Sequence, residues 1–222
     1  MAQVTIRSSI QWWPRFGAGS PGHRALLAGG AAAPVLFVGA FLAQGAVRPG
    51  YAPLRDTISA LMNGDAGWGQ RLNFAVFGIL VIGFAAGLRI ALVPGIGAIW
   101  VPRLKALEGL CLMAAGIFPD PVHTAVTVGS FTLALITYVI LARRFWTGGR
   151  RGGWVAYSIA TGLLSVTCLA LFGALGAGHG PGPAGLFEKL ATAVNGLYTL
   201  ILALTLLLGS GRIEPREQSQ AR

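Results

Sequence analysis

The sequence predicts an all-α protein: a polytopic integral membrane bundle of six transmembrane helices, with a short extra helix in the first outer loop. Two observations predict this fold. Hydrophobic residues make up 54% of the 222 residues and charged residues only 11%, with a mean hydropathy of +0.66. Soluble domains carry about a quarter of charged residues. In addition, apolar runs of about 20 residues, the length that crosses a bilayer, recur along the chain.

Proline, glycine and charged residues divide the apolar runs into six predicted helices. These cover residues 24–47, 71–93, 100–118, 121–145, 153–175 and 186–208. The first run is longer than the roughly 7–15 residues of a signal-peptide core, so we interpret it as an uncleaved span. Residues 1–23 form an N-terminal arm at the cytoplasmic interface, residues 24–209 the transmembrane domain, and residues 210–222 a polar tail expected to be disordered.

The distribution of charge predicts the orientation of the chain. Six spans place both termini on one side, and 13 of the 17 basic residues fall on that side. The other four are Arg48, Arg55, Arg71 and Lys189. By the positive-inside rule, the N- and C-termini are predicted to be cytoplasmic. The net charge of +10 therefore indicates membrane topology and not binding of nucleic acid, for which a basic, aromatic-interleaved patch would be expected.

The polar interval at residues 49–73 separates the first two spans and holds the first candidate site. Pro53 is suited to the start of a helix and Asn63-Gly64 to its end, so a short helix is predicted over Leu54–Met62. On that helix Arg55, Asp56 and Ser59 would form a polar face at the membrane boundary. The alternative is a solvated connection in which Arg55 and Asp56 only pair with each other.

Polar residues recur at helical spacing inside three of the later spans. Helix 4 carries His123, Thr127 and Ser130, helix 5 carries Ser158, Thr161, Ser165 and Cys168, and helix 6 carries Glu188, Thr192, Asn195 and Thr199. Lipid offers no polar partners, so these faces are expected to point into the bundle. Either they hold helices together, or they line an outward-opening cavity with His123 and Glu188 at its mouth. The candidate substrate-binding residues are Arg55, Ser59, Glu188, Thr192 and Asn195.

The candidate catalytic residues are Asp56, Asp120 and His123. Asp120 and His123, three residues apart, resemble an acid–base or metal-binding pair. Asp120 is also explained as the N-cap of helix 4, before Pro121, and a lone histidine at a helix start is more often structural. A zinc site needs three or four ligands, and no metal site is predicted. No cofactor motif is present, and the cofactor is unknown.

Two further features receive structural interpretations. Glu108, the only acidic residue within a span, lies three residues after Lys105, which predicts an ordinary intrahelical ion pair whose lysine can reach the cytoplasmic surface. Cys111 and Cys168 lie inside apolar runs and are expected to be packing residues.

Several short motifs carry a resemblance to a known family. The segment PGYAPLRDTISAL, the span after it, GIFPDP with a nearby histidine, and a basic ARRF end to helix 4 occur in order. Over about residues 25–208 the chain resembles the bacterial membrane family catalogued as domain of unknown function 998. The resemblance implies a six-helix protein of the bacterial plasma membrane without an established activity. It also implies that Asp56, Ser59, Asp120 and His123 occupy the family's recurring polar positions.

The predicted function is handling of a lipid, an isoprenoid or another amphipathic small molecule at an outward-facing polar site, by acid–base catalysis. Two alternatives remain open: a small-solute or proton-coupled carrier, and a structural or accessory membrane subunit. The expected partners are membrane lipids and an amphipathic substrate, with no nucleic acid. The oligomeric state is unknown.

Overall fold

A computed structural model describes residues 19–92, 94–148, 152–176 and 181–209. The regular elements of these residues are helical, as predicted. They are α1 (Pro21–Val47), a 3-10 helix (Ser59–Met62), α2 (Gly67–Ala91), α3 (Trp100–Ile117), α4 (Val122–Thr147), α5 (Gly153–Ala174) and α6 (Ala184–Leu208). Residues 1–18, the predicted tail at 210–222 and His179 lie outside the described residues.

Five of the described helices, α1, α2, α4, α5 and α6, are long and apolar enough to cross a membrane. The prediction of apolar spans is thus confirmed for these five. The sixth helix, α3, has 18 residues and includes Arg103, Lys105 and Glu108, so its composition differs from that of the others.

The six helices form a closed ring. Each helix packs against the next one in sequence, and α1 packs against α6. At one end of the ring, here called the loop end, the 3-10 helix packs with Phe37, Phe41 and Phe74 in one apolar cluster. A larger apolar core fills the other half, the terminal end, where α1 begins and α6 ends. Solid packing is therefore concentrated at the terminal end.

The contact between α2 and α3 is unusually close because two glycines face each other. A Cβ atom added to Gly109 would lie 2.7 Å from the carbonyl oxygen of Gly78. Towards the loop end, a Cβ atom added to Gly116 would lie 2.8 Å from the carbonyl oxygen of Arg71. The two helices therefore run antiparallel in direct backbone contact.

Helix α1 begins at Pro21, three residues before the predicted start. The Ser20 side chain accepts a hydrogen bond from the backbone N–H of His23 at 3.2 Å and so caps the helix. The His23 ring is fully buried, and its Nε2 lies 3.2 Å from the carbonyl oxygen of Gly87. The end of the predicted arm is therefore part of the bundle.

The predicted helix over Leu54–Met62 is wrong in extent, since only Ser59–Met62 is helical, as a 3-10 turn. The carbonyl oxygens of Leu54 and Arg55 accept hydrogen bonds from the backbone of α6 at 2.8 and 3.0 Å. Because these groups pair with a distant helix, they are not available for an α-helical ladder, and local propensity is overridden. The common helical face predicted for Arg55, Asp56 and Ser59 consequently does not form.

Candidate functional site

A cavity of about 60 Å³ lies between α1, α2, α3, α4 and α6 and reaches the loop end beneath Ile58. The wall formed by α1, α2 and the loop is apolar and mostly aromatic, with Phe37, Ile58, Phe74 and Phe77. The wall formed by α3, α4 and α6 carries the polar groups, together with Leu112 and Phe131: Glu108, His123, Thr127, Ser130, Glu188, Thr192, Asn195 and Thr199. The volume accommodates several water molecules or a small polar group, and the two walls suit a molecule with both polar and apolar parts.

The polar faces predicted on helices 4 and 6 both line this cavity. Glu188 stands near the loop end and Thr199 deeper, separated by about 16 Å of helix rise. The face predicted on helix 5 does not contribute to the described lining. Ser158 of α5 is buried and lies 2.8 Å from the hydroxyl of Tyr198 on α6, so this face holds two helices together.

Asn195 is fixed at the centre of the polar wall. Its Nδ2 donates to the Ser165 hydroxyl at 2.8 Å and to the Ala191 carbonyl at 2.7 Å. The hydroxyl of Tyr138 donates to its Oδ1 at 2.5 Å. Asn195 therefore holds a single orientation and joins α4, α5 and α6.

His123 is buried on the cavity wall, with 9% of its surface exposed. Its Nδ1 lies 2.7 Å from the carbonyl oxygen of Ala115, and a carbonyl can only accept. Nδ1 therefore carries the hydrogen, and in the neutral ring Nε2 holds the free lone pair. The Phe74 ring meets the imidazole edge-on at 6.1 Å. The histidine is thus held as a potential proton acceptor.

Glu188 connects the cavity to the loop between α1 and α2. Its Oε2 accepts a hydrogen bond from the backbone N–H of Ile58 at 2.7 Å. Beside it, the N–H groups of Gly185 and Leu186 donate to loop carbonyls, and Lys189 donates to the carbonyl of Asp56. The loop thereby supplies acceptors to the first turn of α6, whose N–H groups have no partner within the helix.

Asp56 lies in this loop and is not among the residues that line the cavity. Its Oδ2 accepts from the backbone N–H of Ala52 at 2.7 Å and its Oδ1 from Nε of Arg55 at 3.0 Å. The Ala52 hydrogen bond, followed by that of Arg55, lowers the pKa of the carboxyl group below its usual value. The Ser59 hydroxyl lies 3.0 Å from that of Thr57. These side chains organise the loop.

Asp120 was predicted as the N-cap of helix 4, but α4 begins at Val122 and its N-cap is Pro121; Asp120 still pairs with the first turn of the helix. Its Oδ1 accepts from the backbone N–H of Thr124 at 3.2 Å and also from the Thr124 hydroxyl. It does not line the cavity. In the described part of the chain no three His, Cys, Asp or Glu side chains are grouped so that they could hold a metal ion. Of the predicted site residues, the structure brings His123, Glu188, Thr192 and Asn195 together, while Arg55, Asp56, Ser59 and Asp120 lie elsewhere.

Glu108 is the cavity residue that sequence reasoning missed. The predicted ion pair with Lys105 is present, with Nζ 2.9 Å from Oε1. The lysine does not reach a surface, however, because it is 3% exposed and also donates to the Thr199 hydroxyl. Glu108 is 8% exposed, and its Oε2 has no hydrogen-bond partner among the described residues. The signal that could have marked Glu108 as a candidate was an ionisable residue inside a predicted span.

The helices and the cavity define the class as a multi-pass, all-α integral membrane protein. The chain belongs to the family described as "Protein of unknown function (DUF998)", which matches residues 31–205. The resemblance noted in the sequence is therefore confirmed. No curated protein and no solved structure matches the chain significantly.

Proposed function

We propose that this protein binds an amphipathic small molecule, of lipid or isoprenoid type, with its polar group inside the cavity. The observation that supports the proposal is the division of the lining into an aromatic and a polar wall. The part of the hydrocarbon chain next to the polar group buries its surface against the aromatic wall, while the polar group pairs with Glu188 or Thr192.

The packing below the cavity favours entry and exit at the loop end over passage through the protein. Tyr138, Leu141 and Leu202 are each at most 2% exposed in the core of the terminal end. A solute carrier would need to open this core. We therefore place binding, with or without chemistry, ahead of a carrier role.

The acid–base chemistry available in the cavity resides in His123 and Glu188. The free lone pair of His123 Nε2 can accept a proton from a bound molecule, and a carboxyl group at Glu188 can exchange one. We leave Asp56 and Asp120 out of this assignment because both carboxylates pair with groups of their own segments.

The proposal includes a six-span topology in a bacterial plasma membrane, with both termini cytoplasmic and the loop end outside. Helix α3 has a length of about 27 Å, close to the hydrocarbon thickness of about 30 Å. Its contact with α2 supports the same depth, and Lys105 and Glu108 are shielded from lipid by burial against each other. The excess of basic residues at the terminal end supports the orientation.

The test is to identify amphipathic molecules that co-purify with the full-length protein, using native mass spectrometry followed by extraction. Thr192→Phe fills the cavity and should abolish their retention. Leu197→Phe is the matched control, because Leu197 lies on the outer side of the same helix with 50% of its surface exposed. Equal retention in both variants would contradict the proposal.

The same preparation separates the functional alternatives. Conversion of the retained molecule by the wild-type protein, lost in Glu188→Gln and in His123→Gln, would indicate an enzyme. Retention without conversion would indicate a binding protein. A stably co-purifying second polypeptide, with no retained small molecule, would favour an accessory subunit.

A further inference from the structure

The cavity offers hydrogen-bond acceptors and very few donors. Glu108 is nine-tenths buried, and its Oε2 atom has no partner among the described residues. In neutral His123, Nε2 is an acceptor because Nδ1 carries the hydrogen. A carboxylate at Glu188 offers further lone pairs beyond the one used by Ile58. All three titratable groups on the lining can therefore accept a hydrogen bond.

The donors of the lining are already engaged within the protein. Both N–H bonds of the Asn195 amide are directed to Ser165 and Ala191. The Ser130 hydroxyl donates to the Thr127 carbonyl at 2.8 Å. The Thr199 hydroxyl donates to the Asn195 carbonyl at 3.2 Å. Only the hydroxyls of Thr127 and Thr192 remain available to donate.

The charge of the lining residues also favours a ligand that donates hydrogen bonds. Although the chain carries 17 basic and seven acidic residues, no lysine or arginine is among the lining residues and two glutamates are. Two lysines outside the lining lie beside these glutamates: Lys105 pairs with Glu108, and Lys189, next to Glu188 in sequence, donates to the Asp56 carbonyl. An anionic headgroup would meet these acceptors with no cation among the lining residues, and burying such a group is costly.

We propose that the polar group bound in this cavity is a protonated amine, so that the ligand is a long-chain primary amine or an amine-bearing lipid. This inference rests on the proposed function and specifies its ligand class. An ammonium group supplies hydrogen-bond donors and a positive charge, which suit the Glu188 carboxylate near the loop end or the Glu108 carboxylate deeper in the cavity. Aromatic ring faces also attract cations, and the lining includes Phe37, Phe74 and Phe77.

The experiment compares four probes of equal chain length: decylamine, decanol, decanoate and decyl phosphate. Binding to the full-length protein in a nonionic detergent is measured by native mass spectrometry across a concentration series. Decylamine should bind at least about tenfold more tightly than decanol, as expected for a charge-assisted hydrogen bond. Decanoate and decyl phosphate should bind more weakly than decanol.

Three variants locate the effect. Glu188→Gln keeps the acceptor for Ile58 but removes the charge, and it should weaken decylamine binding about tenfold. The pair Lys105→Met with Glu108→Gln removes the deeper carboxylate without leaving a buried lysine unpaired, and it should also weaken binding. Asp65→Asn removes the charge of an exposed loop residue outside the lining and should change nothing.

Each outcome decides between the two proposals. The amine assignment would be overturned if the anionic probes bind as tightly as decylamine. It would also be overturned if decylamine binding is unchanged in Glu188→Gln and in the Lys105→Met, Glu108→Gln pair. If decanol and decylamine bind equally and Thr192→Phe abolishes both, the proposed function stands and the amine assignment fails. If Thr192→Phe affects none of the probes, binding in the cavity itself is refuted.

Discussion

The substitution Gly185→Ala tests the attachment to α6 of the loop between α1 and α2. A Cβ atom at this position would lie 2.2 Å from the carbonyl oxygen of Asp56 and 2.7 Å from that of Arg55. Both obstacles are backbone atoms, so rotation of a side chain cannot relieve the clash. We expect the loop to move away from α6 and the cavity to lose its cover.

The magnitude follows from the hydrogen bonds that hold the loop. Gly185, Leu186 and Lys189 donate to loop carbonyls, and Glu188 accepts from Ile58. Each such hydrogen bond contributes about 0.5–1.5 kcal/mol net to stability. When the loop separates from α6, hydrogen bonds to water compensate for part of this loss. Alanine regains up to about 1 kcal/mol over glycine in a helix. The net loss of stability should be about 1–3 kcal/mol, or roughly 2–12 °C in Tm for a chain of this size.

The first assay is thermal unfolding in detergent, monitored with a thiol-reactive dye that reports exposure of Cys111 and Cys168. The second assay is the rate of trypsin cleavage after the exposed Arg55. Gly185→Ala should unfold earlier and be cut faster. Gly173→Ala is the control, because nothing lies within 4 Å of the Cβ atom it would add. If both variants match in Tm and cleavage rate, the loop is not held as described.

Four other expectations concern topology, access and charge. Reporters fused after residue 148 and after residue 209 should both be cytoplasmic; an external C-terminal reporter would mean an odd number of spans. In a cysteine-free background, Thr192→Cys should react with a small water-soluble thiol reagent and Leu202→Cys should not. If neither cysteine reacts, water does not reach the cavity. Asp56→Asn should lower Tm slightly at pH 7. Because the folded pKa of Asp56 is depressed, its contribution is present above the unfolded value of about 3.9 and is lost as the pH falls through the folded value. The difference in Tm between Asp56→Asn and wild type should therefore become smaller below about pH 4. If Tm measured over a series of pH values differs by a constant amount, the charge of Asp56 is not the cause of the difference. Glu108→Gln alone should cost about 3–5 kcal/mol by leaving a buried lysine unpaired, and adding Lys105→Met should restore most of it; denaturant unfolding that shows no recovery would contradict the ion-pair account.

The helices were predictable because hydropathy and proline or glycine breaks depend only on local sequence. The bounds of α3 and α5 agree with the prediction to within one residue. The stripes of α4 and α6 were likewise predictable, since helical spacing fixes which residues share a face and lipid forces that face inward. These features need no knowledge of distant contacts.

The loop and the deeper part of the cavity were not predictable, because both depend on tertiary partners. Leu54 and Arg55 would continue a helix if their carbonyl oxygens were not paired with α6. Glu108 was explained in sequence by Lys105 three residues earlier, and nothing local indicates that one of its oxygens remains without a partner. Asp56 was given a site role for its charge, although its neighbour Ala52 supplies the hydrogen bond that engages it.

The hydrogen bond between Ile58 and Glu188 joins residues that are 130 positions apart. At a synthesis rate of about 5–20 residues per second, the last helix leaves the ribosome roughly 7–26 s after the loop does. During that interval the polar stripe of α4 lacks the stripe of α6 opposite it, and the loop carbonyls lack the N–H groups of α6. Until α6 is synthesised, the ring of helices cannot close, because α1 and α5 both lack the helix that they pack against.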